Sequence, residues 1–375
     1  MMLTEGPVPE PVATEPPSAT SVRALGGSPW SGSDAAEAHR ATHGELEGQH
    51  WPVLPELPDR GPGADDVGRS AALLHELPVD LQPHGWRVSP PGVVGSGMDR
   101  RRAVSFWRED AHRWADTAGA EGVSTERLAV RVRGPLSLLG ALWLPGGERV
   151  LIDAGARRDV AESYREGLIE ALGRLRETTG ARRLGVVLDE PWAAAVLAGA
   201  LPTASGYRTV RSMPRDEARH VWRELLTGLM ARGGIEDAWL APGRAGVGSE
   251  DGAPDHAALA ALAAEALPDA PPPSESGTTR QPVSLVLPVG ALEGPGATPE
   301  EWGVVAGWAD AGRRVTLRTA ERPATIVRTW DRMGMDPALL RRVTLTVGGR
   351  HDAAVLRRLR TDAEELDARV GELLG

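Results

Sequence analysis

Eight short β-prone runs, each followed by a stretch of helical periodicity, constrain this chain more than any other feature of it. The runs are Ser21 to Gly26, Trp51 to Glu56, Leu128 to Arg133, Leu184 to Asp189, Ile235 to Leu240, Val283 to Leu287, Arg314 to Arg318 and Val343 to Val347. Helical stretches include Ser33 to Glu47, Ala154 to Thr179 with Val160, Tyr164, Leu168, Leu172 and Leu175 on one stripe, and Asp352 to Leu374. Strands that alternate with helices belong to βα units on a parallel sheet. Eight units in 375 residues predict an α/β fold, a single closed (β/α)8 TIM-type barrel. A doubly wound open sheet is the competitor, but the first turn reads GGSPWSG rather than GxGxxG.

Residues 1–19 hold five prolines and almost no large apolar side chains, so they are expected to form a disordered tail ahead of a barrel domain spanning 20–375. Flexible loops are expected at about 242–253, which is Gly-rich, and at 268–279, which reads PDAPPPSESGTT.

Composition removes several classes of function. The chain has no Cys, which excludes disulfides, thiol nucleophiles and iron–sulfur clusters. Its 42 basic against 52 acidic residues leave a net charge of −10, and the arginines are scattered among acids, so nucleic acid is not an expected partner. No run is long and apolar enough for a membrane span and no secretory leader is evident, so a cytoplasmic location is expected.

In a barrel of this kind chemistry sits just past the C-terminal ends of the strands. The run VVLDEP ends in Asp189 and Glu190, and adjacent strand residues point to opposite faces. One acid is therefore expected to face the mouth, to bind a ligand ammonium or accept a proton; the alternative is an acid that caps a helix or pairs with an arginine. Ser28 could hold a carboxylate or simply end its strand. Gly348, Gly349 and Arg350 form either an anion site or a turn before the Asp352-capped helix. His39 and His43, four apart with Glu37 nearby, have a spacing that permits a shared metal, but solvated surface histidines account for it.

The segments GGSPWSGSDAAEA, HWPVLPELPDRGPGADDVGRSAALLHELPVDLQPHGWRV, VLDEP, GALPTASGYRTVRS and WDRMGMDPALLRRVTLTVGG occur in an order that resembles short actinobacterial members of the cobalamin-independent methionine synthase family, from about Val22 to Gly375. The resemblance implies a (β/α)8 barrel and methyl transfer from 5-methyltetrahydrofolate to homocysteine, whose thiol is activated as a zinc-bound thiolate. It implies further that Ser28 helps hold the amino acid substrate and that Asp189, within the DEP motif shared with Glu190, binds its ammonium. The family's zinc ligands fall on Ala238 and Leu240 (AWLAP), Val286 and Val347 (TLTVGG), none of which has a metal-binding atom.

An unactivated thiol with a pKa near 8.5 is mostly protonated at neutral pH, so zinc-dependent methylation is expected to be very slow. No cofactor is expected. Three readings follow: an inactive or altered homologue; a non-catalytic barrel that binds an amino acid or a folate; and a metal-free barrel enzyme. The last requires clustered inward arginines, for which Arg23 is the candidate near strand 1.

Overall fold

A computed structural model describes residues 21–89, 97–243, 256–267, 283–293 and 298–375. The expected tail and the 268–279 loop lie outside these residues, as does the 242–253 loop beyond Gly243.

All eight expected runs are strands of one parallel sheet: β1 (Arg23–Gly26), β2 (Trp51–Pro52), β3 (Arg127–Arg133), β4 (Arg183–Glu190), β5 (Ile235–Pro242), β6 (Val283–Pro288), β7 (Arg314–Arg318) and β8 (Val343–Thr346). Each pairs with its sequence neighbour, and β1 also pairs with β8. The remaining seam, between β2 and β3, is closed by a parallel bridge from Val53 to Ala129, with Leu54 N–H donating to the Ala129 carbonyl at 2.8 Å. An open sheet would leave two edges unpaired here, so this is a (β/α)8 barrel.

Parity divides each strand between two cores. Leu128, Val130 and Val132 of β3, Leu184, Val186 and Leu188 of β4, and Ala238 and Leu240 of β5 face outward and pack under the helices. Leu25, Trp51, Val53, Ala129, Val187, Trp239, Ala241 and Val286 form a separate cluster inside the barrel. The indoles of Trp51 and Trp239 meet edge to face, 5.1 Å between centroids. Two side chains this large fit because Ala129, Ala241 and Gly185 around them are small.

The helices start where aspartates can accept their unpaired amides. Asp34 caps α1 (Ala35–Glu45), and Asp352 caps the last helix, Ala353–Leu374. Between β2 and β3 the chain inserts a hairpin of two short strands, Val79–Gln82 and Gly85–Val88, and a long helix, Met98–Glu121. Among the described residues no helix is long and apolar enough to cross a membrane.

His39 and His43 correct the expectation of surface histidines. Both are buried, because α1 packs this face on helix Met98–Glu121: the His39 ring nitrogens lie 2.6 Å from the Ala35 carbonyl and 3.1 Å from the Asp110 carbonyl, and His43 lies over Trp114 at 3.7 Å between centroids.

Candidate functional site

At the C-terminal end of the barrel, the loops after β1 and β8 are stitched together. His351 N–H donates to the Pro29 carbonyl at 2.7 Å, Ser31 N–H to the His351 carbonyl at 2.8 Å, and Gly27 N–H to His351 Nδ1 at 2.8 Å. Gly27 is required at this seam: its φ is +129°, and a Cβ there would lie 2.4 Å from the Val53 carbonyl oxygen.

Beneath the seam is a cavity of about 140 Å3, whose polar wall includes Ser28, Arg131, Asp189, Arg318 and His351. Its apolar wall includes Leu25, Val53, Val187, Val286 and Val347. Inward parity on β3 places Arg131 above Ala129, and Arg318 ends β7. Arg131 is a hub: it donates to Glu56 Oε2 at 2.7 Å and, through its other terminal nitrogen, to Asp189 Oδ2. Burial works against its charge, but the surrounding carboxylates of Glu56, Asp189 and Asp66 outweigh this and raise its pKa. Arg318 has less compensation. Asp189 Oδ1 stands 4.0 Å away, and burial, reinforced by the like charge of Arg131, lowers the Arg318 pKa.

His351 is 2% exposed, and burial together with the Arg131 charge lowers its pKa to about 4 although the Val347 carbonyl opposes the shift. It is therefore neutral at pH 7. The amide of Gly27 occupies Nδ1, so the proton resides on Nε2, 3.4 Å from the Val347 carbonyl. Ser28 is 9% exposed and its Oγ has no hydrogen-bond partner among the described residues.

The buried histidines give the fold a pH dependence. His43, like His351, has its pKa lowered to about 4 by burial. An unfolded histidine titrates near 6.5, so between these values the unfolded chain binds more protons and stability rises with pH. The contribution is complete above about pH 6.5 and is lost as pH falls toward 4; each of the two costs about 2 kcal/mol at pH 5. Urea titrations at pH 7 and pH 5 are expected to show this loss, and His43→Leu to reduce the difference between them. An unchanged unfolding free energy across that interval would contradict the burial argument.

The expected site residues separate. Ser28 and Asp189 line the cavity. Glu190 does not: it is fully buried on the opposite face, accepting from the Leu136 and Ser137 amides at 3.0 and 2.7 Å and from Trp222 Nε1 at 2.7 Å. It holds the N-terminus of helix Pro135–Ala141, which removes it from the set of ligand contacts. Arg350 turns to the surface and pairs with Asp59. Arg23, two positions before inward Leu25, lies toward the opposite, N-terminal end of β1.

Of the four hydrocarbon positions, Val286 and Val347 line the mouth, but Ala238 and Leu240 do not. The physical reason is strand alternation: on β5 the inward residues are Trp239 and Ala241. The residues that are present do not suit zinc. Among the described residues no three histidine, cysteine, aspartate or glutamate side chains gather as a ligand set, and Asp189 is already held by Arg131.

Sequence alone singles out neither Arg131 nor Arg318. The available signal was parity: in LAVRVR every second residue is apolar and outward, which sets Ala129 and Arg131 on the inner face.

The fold and site define a (β/α)8 barrel with a small, charged mouth. The sequence matches no protein-family model and no curated protein. Among solved structures the chain is similar to a methyltransferase from Methanosarcina mazei, with 12% identity over 95% of each chain and a TM-score of 0.47. It is also similar to a B12-independent methionine synthase from Shewanella sp. W3-18-1 in complex with selenomethionine, with 12% identity over 77% of this chain and 71% of that one and a TM-score of 0.41. A β-1,4-mannanase from the sea hare Aplysia kurodai matches with 9% identity over 94% of this chain and 92% of that one, at a TM-score of 0.39. The fold assignment rests on strand register and closure.

Proposed function

We propose that this chain is an altered barrel of the methionine-synthase-like kind that binds a small metabolite at its mouth and does not carry out zinc-dependent methylation of a thiol. One observation carries the reading: Ser28, Arg131, Asp189, Arg318 and His351 converge on a single cavity, where Val286 and Val347 supply hydrocarbon. The described walls enclose about 140 Å3, below the roughly 300 Å3 at which pockets for larger organic ligands begin, which supports a ligand of amino-acid size rather than a folate.

Metal analysis and a methylation assay test this together. Purified protein is expected to hold far less than one zinc per chain and to leave homocysteine unmethylated with 5-methyltetrahydrofolate, and calorimetry is expected to detect no binding of that folate. Stoichiometric zinc accompanied by homocysteine methylation would overturn the reading.

A second reading, a metal-free barrel enzyme, is favoured by the pair of arginines beside a neutral histidine, although they come from β3 and β7 rather than from β1. Chemical turnover of a bound ligand separates it from a binding protein.

A further inference from the structure

The polar groups of the mouth are unequal in a way that specifies a ligand. Two guanidinium groups, the Ser28 hydroxyl and His351 Nε2–H can donate hydrogen bonds, and Asp189 is the one carboxylate among the described lining residues. Arginine has no acceptor. The Asp189 carboxylate is also largely taken, with one oxygen held by Arg131 and the other facing Arg318. A ligand ammonium placed on it would stand between two guanidinium cations, an arrangement that like-charge repulsion opposes.

Arg318 is the unfilled position. Arg131 divides its donors between Glu56 and Asp189, whereas Arg318 makes an ion pair only at 4.0 Å, beyond hydrogen-bond length, and no side-chain hydrogen bond with any described residue. Ser28 Oγ, in the same cavity, is buried and has no partner among the described residues. A buried hydroxyl without a partner is costly unless something supplies the missing bond. Glu56 and Asp189 both engage Arg131, which leaves Arg318 as the lining cation without a hydrogen-bonded carboxylate among the described residues, a place that the carboxylate of a ligand would fill.

Size and apolar surface narrow the class. A cavity of about 140 Å3, well under the roughly 300 Å3 of pockets for larger ligands, suits a short organic acid. Leu25, Val53, Val187, Val286 and Val347 offer that acid an apolar wall, which a bare inorganic anion would leave unused.

We propose that the mouth is built for a short-chain carboxylic acid bearing an oxo or hydroxyl group, not an ammonium, next to its carboxylate, with Arg318 as the seat of that carboxylate and Ser28 and His351 as donors to its oxygens. This rests on the reading of the mouth as the ligand site, and it narrows that site from amino-acid size to a class of acids without the amine.

Calorimetry on the full chain at pH 7.5 with four probes tests it: 2-oxobutyrate, 2-hydroxybutyrate, 2-aminobutyrate and inorganic phosphate. The oxo or hydroxy acid is expected to bind at least tenfold more tightly than the amino acid. Arg318→Met is expected to weaken that binding at least tenfold, and Arg318→Lys to recover part of the loss, with circular dichroism confirming that each variant is folded. Binding of 2-aminobutyrate as tightly as its relatives overturns the inference while leaving the mouth a ligand site, and preference for phosphate overturns the carboxylate class. Binding indifferent to Arg318→Met overturns the placement, and failure of all four probes overturns the inference itself. Zinc content and homocysteine methylation decide the broader reading independently of these results.

Discussion

Replacing Asp110 by Ala is expected to lower the unfolding free energy by about 3–5 kcal/mol, the range for stranding one member of a buried ion pair. Asp110 is fully buried on helix Met98–Glu121, where its oxygens accept from Arg60 Nη2 at 2.8 and 2.9 Å and from Arg69 Nη1 at 2.6 Å. Arg60 would keep the Phe106 face, 4.7 Å from the ring centroid, and Glu109, 3.9 Å away, whereas Arg69 is itself 1% exposed. Among the described residues it would retain the face of Trp107, 4.3 Å from the ring centroid, and Glu56, 3.9 Å from its Nε.

Urea denaturation of Asp110→Ala measures the loss, and a double variant with Arg69→Met tests its cause. If the penalty comes from an unpaired buried cation, removing that cation should restore much of the stability. A single variant destabilised by less than about 1 kcal/mol, the size of an ordinary surface ion pair, would show that the group is not held as described. The effect should reach the mouth, because Arg69 adjoins Glu56, Glu56 holds Arg131, and Arg131 holds Asp189.

The distribution of charge inside the barrel explains what the sequence disclosed and what it concealed. All eight strands were legible because each is an apolar run between helical stretches, a local signal that survives without knowledge of neighbours. Asp189 was visible because an acid ending such a run is conspicuous. Arg131 was not, because an arginine within LAVRVR reads as part of a strand until closure of the barrel decides which parity is inside. Ala238 and Leu240 were placed by the resemblance of AWLAP to the family motif, which carries no parity, and on β5 it is Trp239 that points in. On α1, the spacing of His39 and His43 located one helical face but not the helix that covers it.

The inward turn of Trp239 leads to the second large effect. Gly185 lies on the inner face of β4, and a Cβ added there would sit 2.5 Å from Trp239 Cζ3, 3.0 Å from its Cη2 and 3.1 Å from Trp51 Cζ3. The β4–β5 register shifts between Leu184 and Gly185, but Gly185 does not have a left-handed φ, so Gly185→Ala would otherwise gain about 0.4–1 kcal/mol by restricting the unfolded chain. Collision with two rigid indoles reverses the sign. We expect Gly185→Ala to be destabilised by about 1–3 kcal/mol, and Gly185→Val to lose more because its two methyl groups must enter the same filled space. Trp239→Phe removes the atoms that collide, so the double variant with Gly185→Ala should be more stable than the sum of the two single losses allows. Additive losses, or a neutral Gly185→Ala, would mean that the indoles yield and that the interior is not packed against the glycine. Coupling would instead identify the absence of a side chain at Gly185 as the condition under which a barrel can hold two tryptophans beneath its mouth.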